Sequence, residues 1–302
     1  MSRGNKTQVA YAMQPNPSVI PTTGWKTVPY KSIGFNPNYE LLDSETISDS
    51  RIQQEGAVTK ASLGGELDCE LAKDVYDDLL AASAFNDWKT DTLTFGGDVR
   101  KAIAFEEWHK DINLAHYFGG CYINTMKLDI SNDKYASIAF GIVGADYQNK
   151  KNARYAVSPT VPANVQRVSR LQVEDISIDG VTTRGVACVS QFGFQVDNSI
   201  QTVACLGDGV FSATLLELMT KMTGSLTLAY SPRTQDIVNK QMTGGTISIS
   251  VTLKFADGSK YRLDIPKAQV KGEIPTGNEL LNQQLNFTVV AQAPTLTRLA
   301  AA

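Results

Sequence analysis

The sequence predicts a mainly β protein with large sheets and small helices, and three observations support this. Val, Ile and Thr recur in short runs divided by Gly, Asn and Asp, the pattern of strands and their turns. Several segments alternate apolar and polar residues with period 2, which gives each one apolar face. A strand-then-helix unit near residue 65 also returns, much altered, near residue 224. Shifting by 159 positions aligns Leu63, Gly65, Leu67, Cys69 and Leu71 with Met222, Gly224, Leu226, Leu228 and Tyr230.

The 302 residues suffice for one large β-domain or two modest ones. A hydrophobic fraction of 42% with 20% charged residues is that of a soluble globular protein. No stretch has the length of a membrane span, and the opening Met1-Ser2-Arg3-Gly4-Asn5-Lys6 leads into no apolar signal region, so a cytosolic product is expected. The four cysteines, Cys69, Cys121, Cys188 and Cys205, lie far apart without CxxC spacing and are expected as small buried apolar residues. A net charge of −3 argues against tight phosphate binding, yet it allows DNA to pass nearby without adhering.

Residues 1–55 read as an extended arm making inter-subunit contacts, and 56–302 as the β-rich domain. Pro15, Pro17, Pro21, Pro29 and Pro37 punctuate the arm, and its apolar residues come singly, so it cannot fold alone. Trp25, Tyr30, Phe35 and Tyr39 suggest that it docks on its own body or on a neighbour. A strand through Leu71 turns Leu63, Leu67, Cys69 and Leu71 to one side and Glu66, Asp68 and Glu70 to the other. A helix over 72–85 follows, with Val75, Tyr76, Leu79 and Leu80 on one stripe and Asp74, Asp77 and Asp78 at its positive end, but with no convincing N-cap. Strands are expected near 99–108 (Val99, Ile103 and Phe105 on one face), 119–130 and 135–146. The apolar face switches between Ile123 and Met126, which predicts a bulge. A polar loop is expected over 147–165, then strands near 168–178, 185–197 and 200–206, with Val186, Cys188, Phe192, Phe194 and Val196 sharing one side.

The second strand–helix unit covers about 222–241, with Ser231 as N-cap and Pro232 at the first helical position. The hairpin after it has a derivable register. Ile247, Ile249, Val251, Leu253 and Phe255 share a parity, as do Tyr261, Leu263 and Ile265. Partners on one face must therefore have numbers with an even sum. A tight Asp257-Gly258 turn breaks that rule. A three-residue loop with Gly258 left-handed pairs Phe255 with Ser259 and Leu253 with Tyr261. A last strand near 284–292 carries Leu285, Phe287, Val289 and Ala291.

Signals of chemistry are sparse, and no catalytic, cofactor-binding or metal-binding residue is expected. The only histidines, His109 and His116, stand near Glu106, Glu107 and Cys121 at a spacing that fits no common ligand pattern. Glu106-Glu107 and Asp77-Asp78 are paired acids of the kind a glycosidase uses, but such pairs on strands and helix starts are usually solvated. Leu206-Gly207-Asp208-Gly209 resembles part of a phosphate loop without the lysine. Lys150, Lys151 and Arg154 suggest solvation, subunit contact or nucleic acid in that order. Glu66, Asp68 and Glu70 read either as an ordinary wet face or as the lining of a channel that keeps DNA from sticking.

The run Tyr39-Glu40-Leu41-Leu42-Asp43-Ser44-Glu45-Thr46-Ile47-Ser48-Asp49-Ser50-Arg51, then Gly56 and the Gly65-x-Leu67 strand and helix, resembles the tail tube proteins of long-tailed (siphovirus-type) bacteriophages. So do Phe194-Gln195-Val196-Asp197-Asn198, Leu206-Gly207, Met222-Thr223-Gly224-Ser225-Leu226, Asp257-Gly258 and Leu263-Asp264-Ile265-Pro266-Lys267, over roughly residues 25–292. The resemblance implies a β-sandwich or barrel-like subunit with flanking helices. Six subunits would form each ring, and rings would stack into a hollow tube on a tape measure protein, between a tail terminator and the distal tip. Double-stranded DNA would leave through the channel. The product would be made in the bacterial host cytoplasm and reside in the virion tail, with no membrane partner. A Glu45–Arg51 ion pair is expected to organise the first of these segments. The alternative is a β-sandwich binding module of a carbohydrate-binding or adhesin-like virion protein, with a glycosidase third.

Overall fold

The computed structural model of the protein describes residues 3–46, 52, 55–185, 187–207, 209–211, 214–277 and 280–301. Strands β1 (Thr7–Met13), β2 (Lys26–Val28), β3 (Ser32–Ile33), β4 (Asn36–Leu42) and β5 (Ala57–Glu70) lead to helix α1 (Asp77–Ala84). Next come β6 (Thr92–Thr94), β7 (Ile103–His109), β8 (Leu114–Ser131), β9 (Ser137–Gly144) and β10 (Asp146–Lys151). After an irregular stretch follow β11 (Val173–Ile178), β12 (Val181–Thr182), β13 (Val189–Asp197), β14 (Gln201–Val203), β15 (Thr214–Leu216) and β16 (Lys221–Ala229). Helix α2 (Pro232–Asn239), β17 (Thr246–Lys254), β18 (Lys260–Gly272), β19 (Asn282–Val289) and β20 (Thr295–Leu299) finish the order.

One antiparallel layer runs β4-β5-β9-β8-β13-β16-β19-β18. The long strands β8 and β18 belong to two layers. The first part of β8 pairs with β7 and β10, and its second part with β9 and β13. Likewise the first part of β18 pairs with β17 and β20, and its end with β19. The second layer adds β1 and β2 beside β7, and β11 and β12 beside β17. The layers meet in one apolar core: Phe35 stands edge-on to Phe105 (5.2 Å) and Phe118 (5.4 Å), and Val251, Leu253 and Leu263 face Met126, Ile138 and Phe194. The result is a sandwich without a closed barrel.

Alternation explains most strands. Ile138, Phe140 and Ile142 of β9, and Ile247, Ile249, Val251 and Leu253 of β17, are all buried, and apart from Val143 polar or small residues fill the other parity. The predicted bulge lies between Ile123 and Thr125. Leu253 pairs with Tyr261, the Phe255 N–H donates to the Ser259 carbonyl (2.9 Å), and Gly258 has φ +84°, as the parity argument requires. Helix α2 begins at Pro232. The Ser231 Oγ accepts the Thr234 N–H (3.3 Å) and the Thr234 Oγ1 accepts the Ser231 N–H (2.8 Å), a reciprocal cap.

Other expectations differ from the structure. Helix α1 begins at Asp77 rather than Ala72, because Asp74 is left-handed (φ +58°), and Tyr76 ahead of it offers no capping hydrogen bond. Residues 147–151 are strand rather than loop, held to β8 by the Tyr147 ring against Phe118 and its hydroxyl against His116. Val99 lies before β7 and is exposed, so it does not share the buried face of Ile103 and Phe105. Cys69 and Cys121 are buried as expected, but Cys188 and Cys205 are exposed. Residues 7–42 hold four strands instead of single apolar residues. Val9 and Tyr11 face the main core while Ala10 and Ala12 face a second one around Trp25 and Tyr117. A strand buried on both faces carries no alternation to read. Ala291 is exposed beyond β19, and the sequence pattern predicts neither β6 nor β20. Arg51, Val186 and Asp208 lie outside the described residues.

Candidate assembly surfaces

The face of the eight-strand layer that points away from the core is built row by row from the strand registers. One row reads Glu70, Ser137, Asp129, Gly193, Ser225, Asn286, Lys271. The next reads Asp68, Ala139, Lys127, Gln195, Thr223, Thr288, Gln269. Small and polar side chains fill both rows, and Lys127 pairs with Asp129 at 3.2 Å. The acids singled out in the sequence lie at one end. Glu66 is exposed, Asp68 accepts from the Ser32 hydroxyl (2.5 Å), and Glu70 pairs with Arg167 (2.5 Å). Two of the three charges are thus engaged within the chain, and lysines further along offset the rest.

Two projections carry exposed apolar side chains. The β4–β5 hairpin presents Tyr39, Leu41, Leu42 and Val58, with Leu41 67% and Leu42 64% exposed. The excursion around β14–β15 presents Leu206, Leu216, Leu218 and Met219. They stand side by side: the Ala61 N–H donates to the Val210 carbonyl (2.7 Å), and the Tyr39 ring meets Phe211 edge-on at 6.0 Å. An apolar patch of this kind, uncovered in one chain, marks a contact surface. The layer also ends in open edges. Among the described residues, strands β3 and β4 pair only with β5, and β18 beyond Gln269 pairs with no strand but β19, its Gly272 N–H being accepted by the Gln241 side chain (3.2 Å).

The residues weighed for chemistry are occupied otherwise. Glu106 is fully buried, where it takes the Arg154 guanidinium (2.7 and 3.0 Å) and the Tyr155 and Ala156 N–H groups (2.5 and 2.8 Å). Arg154 also lies over the Trp108 ring, so this member of the basic loop ties the loop to the body. Lys150 lies over the Tyr155 ring. His109 and His116 come together across the β7–β8 hairpin, with ring centres 5.4 Å apart. Burial and then the neighbouring His109 push the His116 pKa below its usual value. Cys121 is buried, its thiol pKa raised by burial. Among the described residues no group of three or more His, Cys, Asp or Glu could hold a metal ion. Asp77 pairs with Arg298 (3.0 Å) and Asp78 with Lys26 (2.5 Å), so this acid pair fastens α1. Leu206 and Gly207 lie in an exposed turn.

Gly34-Phe35 recurs as Gly193-Phe194 at the same 159-residue shift as Gly65 and Gly224, ahead of each strand–helix unit. Among the described residues no helix is long and apolar enough to cross a membrane. No curated protein matches the chain. The profile of one family does match, over residues 4–289, nearly the whole sheet system described above, and the chain therefore belongs to the phage tail tube protein family.

Proposed function

We propose that copies of this chain join edge to edge into rings of six wall units, and that the rings stack into the hollow tube of a phage tail. The observation that carries this reading is the eight-strand layer with open ends and one polar, small-residue face. Open edges are a liability in a solitary chain and are removed when edges pair around a ring. The polar face lines the channel, and its mixed charges let double-stranded DNA slide through without tight binding. The apolar projections at Leu41, Leu42 and Met219 pack against the next ring. The chain acts by assembly rather than catalysis. Its further partners are a tape measure protein inside the tube, a terminator at one end and tip proteins at the other. It is made in the host cytoplasm and ends in the virion tail.

Negative-stain microscopy of the concentrated protein, alone and with tail-tip complexes, tests this. Hollow rods of uniform diameter are expected. A species that sediments as a monomer under both conditions would overturn the reading.

A further inference from the structure

We propose that each chain supplies two successive wall units, and that the contact between chains copies the contact between its own halves. A ring of six units is then three chains. This rests on the tubular reading above and adds the partner of each open edge.

The two halves share one topology. In the first, β5 leads to α1 and then to the meander β7, β8, β9, whose last strand returns beside β5. In the second, β16 leads to α2 and then to β17, β18, β19, whose last strand returns beside β16. The next strand in each goes back to the first part of the long middle strand: β10 pairs with Leu114–Gly119 and β20 with Lys260–Asp264. A flanking strand with its own mate completes each set, β1 with β2 on β7 and β11 with β12 on β17. Registers agree as well. Ile33 pairs with Leu67 and Asn36 with Gly64, while Phe192 pairs with Leu226 and Gln195 with Thr223, each number raised by 159.

The halves are joined where β13 pairs with the second part of β8, Phe194 opposite Leu128 and Val196 opposite Met126. In the first half the place of β13 belongs to β3–β4, which have no strand on that side among the described residues. In the second half the place of β8's second part belongs to the end of β18 and residues 273–277. Gly272 pairs with Leu285 as Met126 does with Phe140, and Ile274 beyond it is 70% exposed. The Gln283 side chain already holds the Glu273 carbonyl (2.6 Å), keeping this stretch alongside β19. One open edge is therefore the first half of the joint and the other its second half. Transferring the register sets Phe35 opposite Ile274, and Pro37 opposite Gly272, of a second copy of this chain. That pairing covers Ile274 and extends the layer by eight strands per chain.

The test is a reconstruction of the assembled tube, with disulfide trapping in Asn36→Cys/Glu273→Cys on a Cys188→Ser/Cys205→Ser background. Three chains per ring with near-sixfold density, and an oxidised ladder ending at three chains, are expected. Six chains per ring, or a ladder running to six, overturns the two-unit count and leaves the tube intact. Rods in which this pair does not cross-link overturn the register. Absence of any ring or rod removes the tubular reading beneath it.

Discussion

At the residue scale, Glu106 is a carboxylate without solvent, and Arg154 and two backbone N–H groups balance its charge. Removing either partner leaves the other uncompensated in the interior. Glu106→Ala should cost on the order of 3–5 kcal/mol of stability, read from denaturant unfolding. No sequence pattern ties residue 106 to residue 154, so this pair was not legible; Glu106 read as a solvated acid and Arg154 as a surface cation. His116 makes a different kind of statement. Its neighbours are His109, the Tyr147 hydroxyl at 2.8 Å and, opposite it on β7, Glu107. Its pKa is lowered in the folded chain by burial first and by His109 second. Below pH 6.5, the ordinary histidine value, the unfolded chain takes up a proton that the folded chain resists. Stability contributed by neutral His116 is therefore complete above pH 6.5 and falls as the pH drops through the lowered folded value. His116→Gln should flatten the denaturant midpoint against pH in that window, and an unchanged profile would refute it. The contact between the histidines was not legible because seven residues are two helical turns, too far apart to touch on a helix, whereas the β7–β8 hairpin brings the rings together.

At the element scale, what the sequence specified locally came out as expected. The Ser231 cap, the Asp257-Gly258 loop and the bulge after Ile123 each depend on a few neighbouring residues. Ser231→Ala should cost about 1 kcal/mol in thermal unfolding, since it leaves the Thr234 N–H without its capping acceptor. Gly224 is constrained by its neighbours: a Cβ there would overlap the Phe287 ring and the Gly193 carbonyl, just as one at Gly65 would overlap the Gly34 backbone. Gly224→Ala should therefore destabilise by about 1–3 kcal/mol through overpacking, measured by the shift in denaturant midpoint. Strands β1, β10 and β20 were less legible. The first is apolar on both faces, the second is polar and edge-like, and the third has all five residues half-buried, so none carries a clean period.

At the scale of the whole molecule, the exposed Leu41 and Leu42 add nothing to the core of a single chain. Replacing both with Ser should leave monomer stability within about 0.5 kcal/mol while preventing rods from lengthening, a split that light scattering beside thermal unfolding reads directly. The sequence disclosed the class of fold and a fragment of the repetition at residues 63–71 and 222–230. It hid the extent of that repetition, because few identities such as Gly34 with Gly193 and Phe35 with Phe194 survive between halves whose partners differ. Among the described residues the excursion between β13 and β16 carries its own hairpin, β14–β15, and no such pair of strands is described between β4 and β5. Because both halves are encoded in one reading frame, each can drift without dragging the other along. In the proposed assembly a loop gained by one half would decorate alternate positions, a freedom unavailable when every position comes from the same single-unit gene.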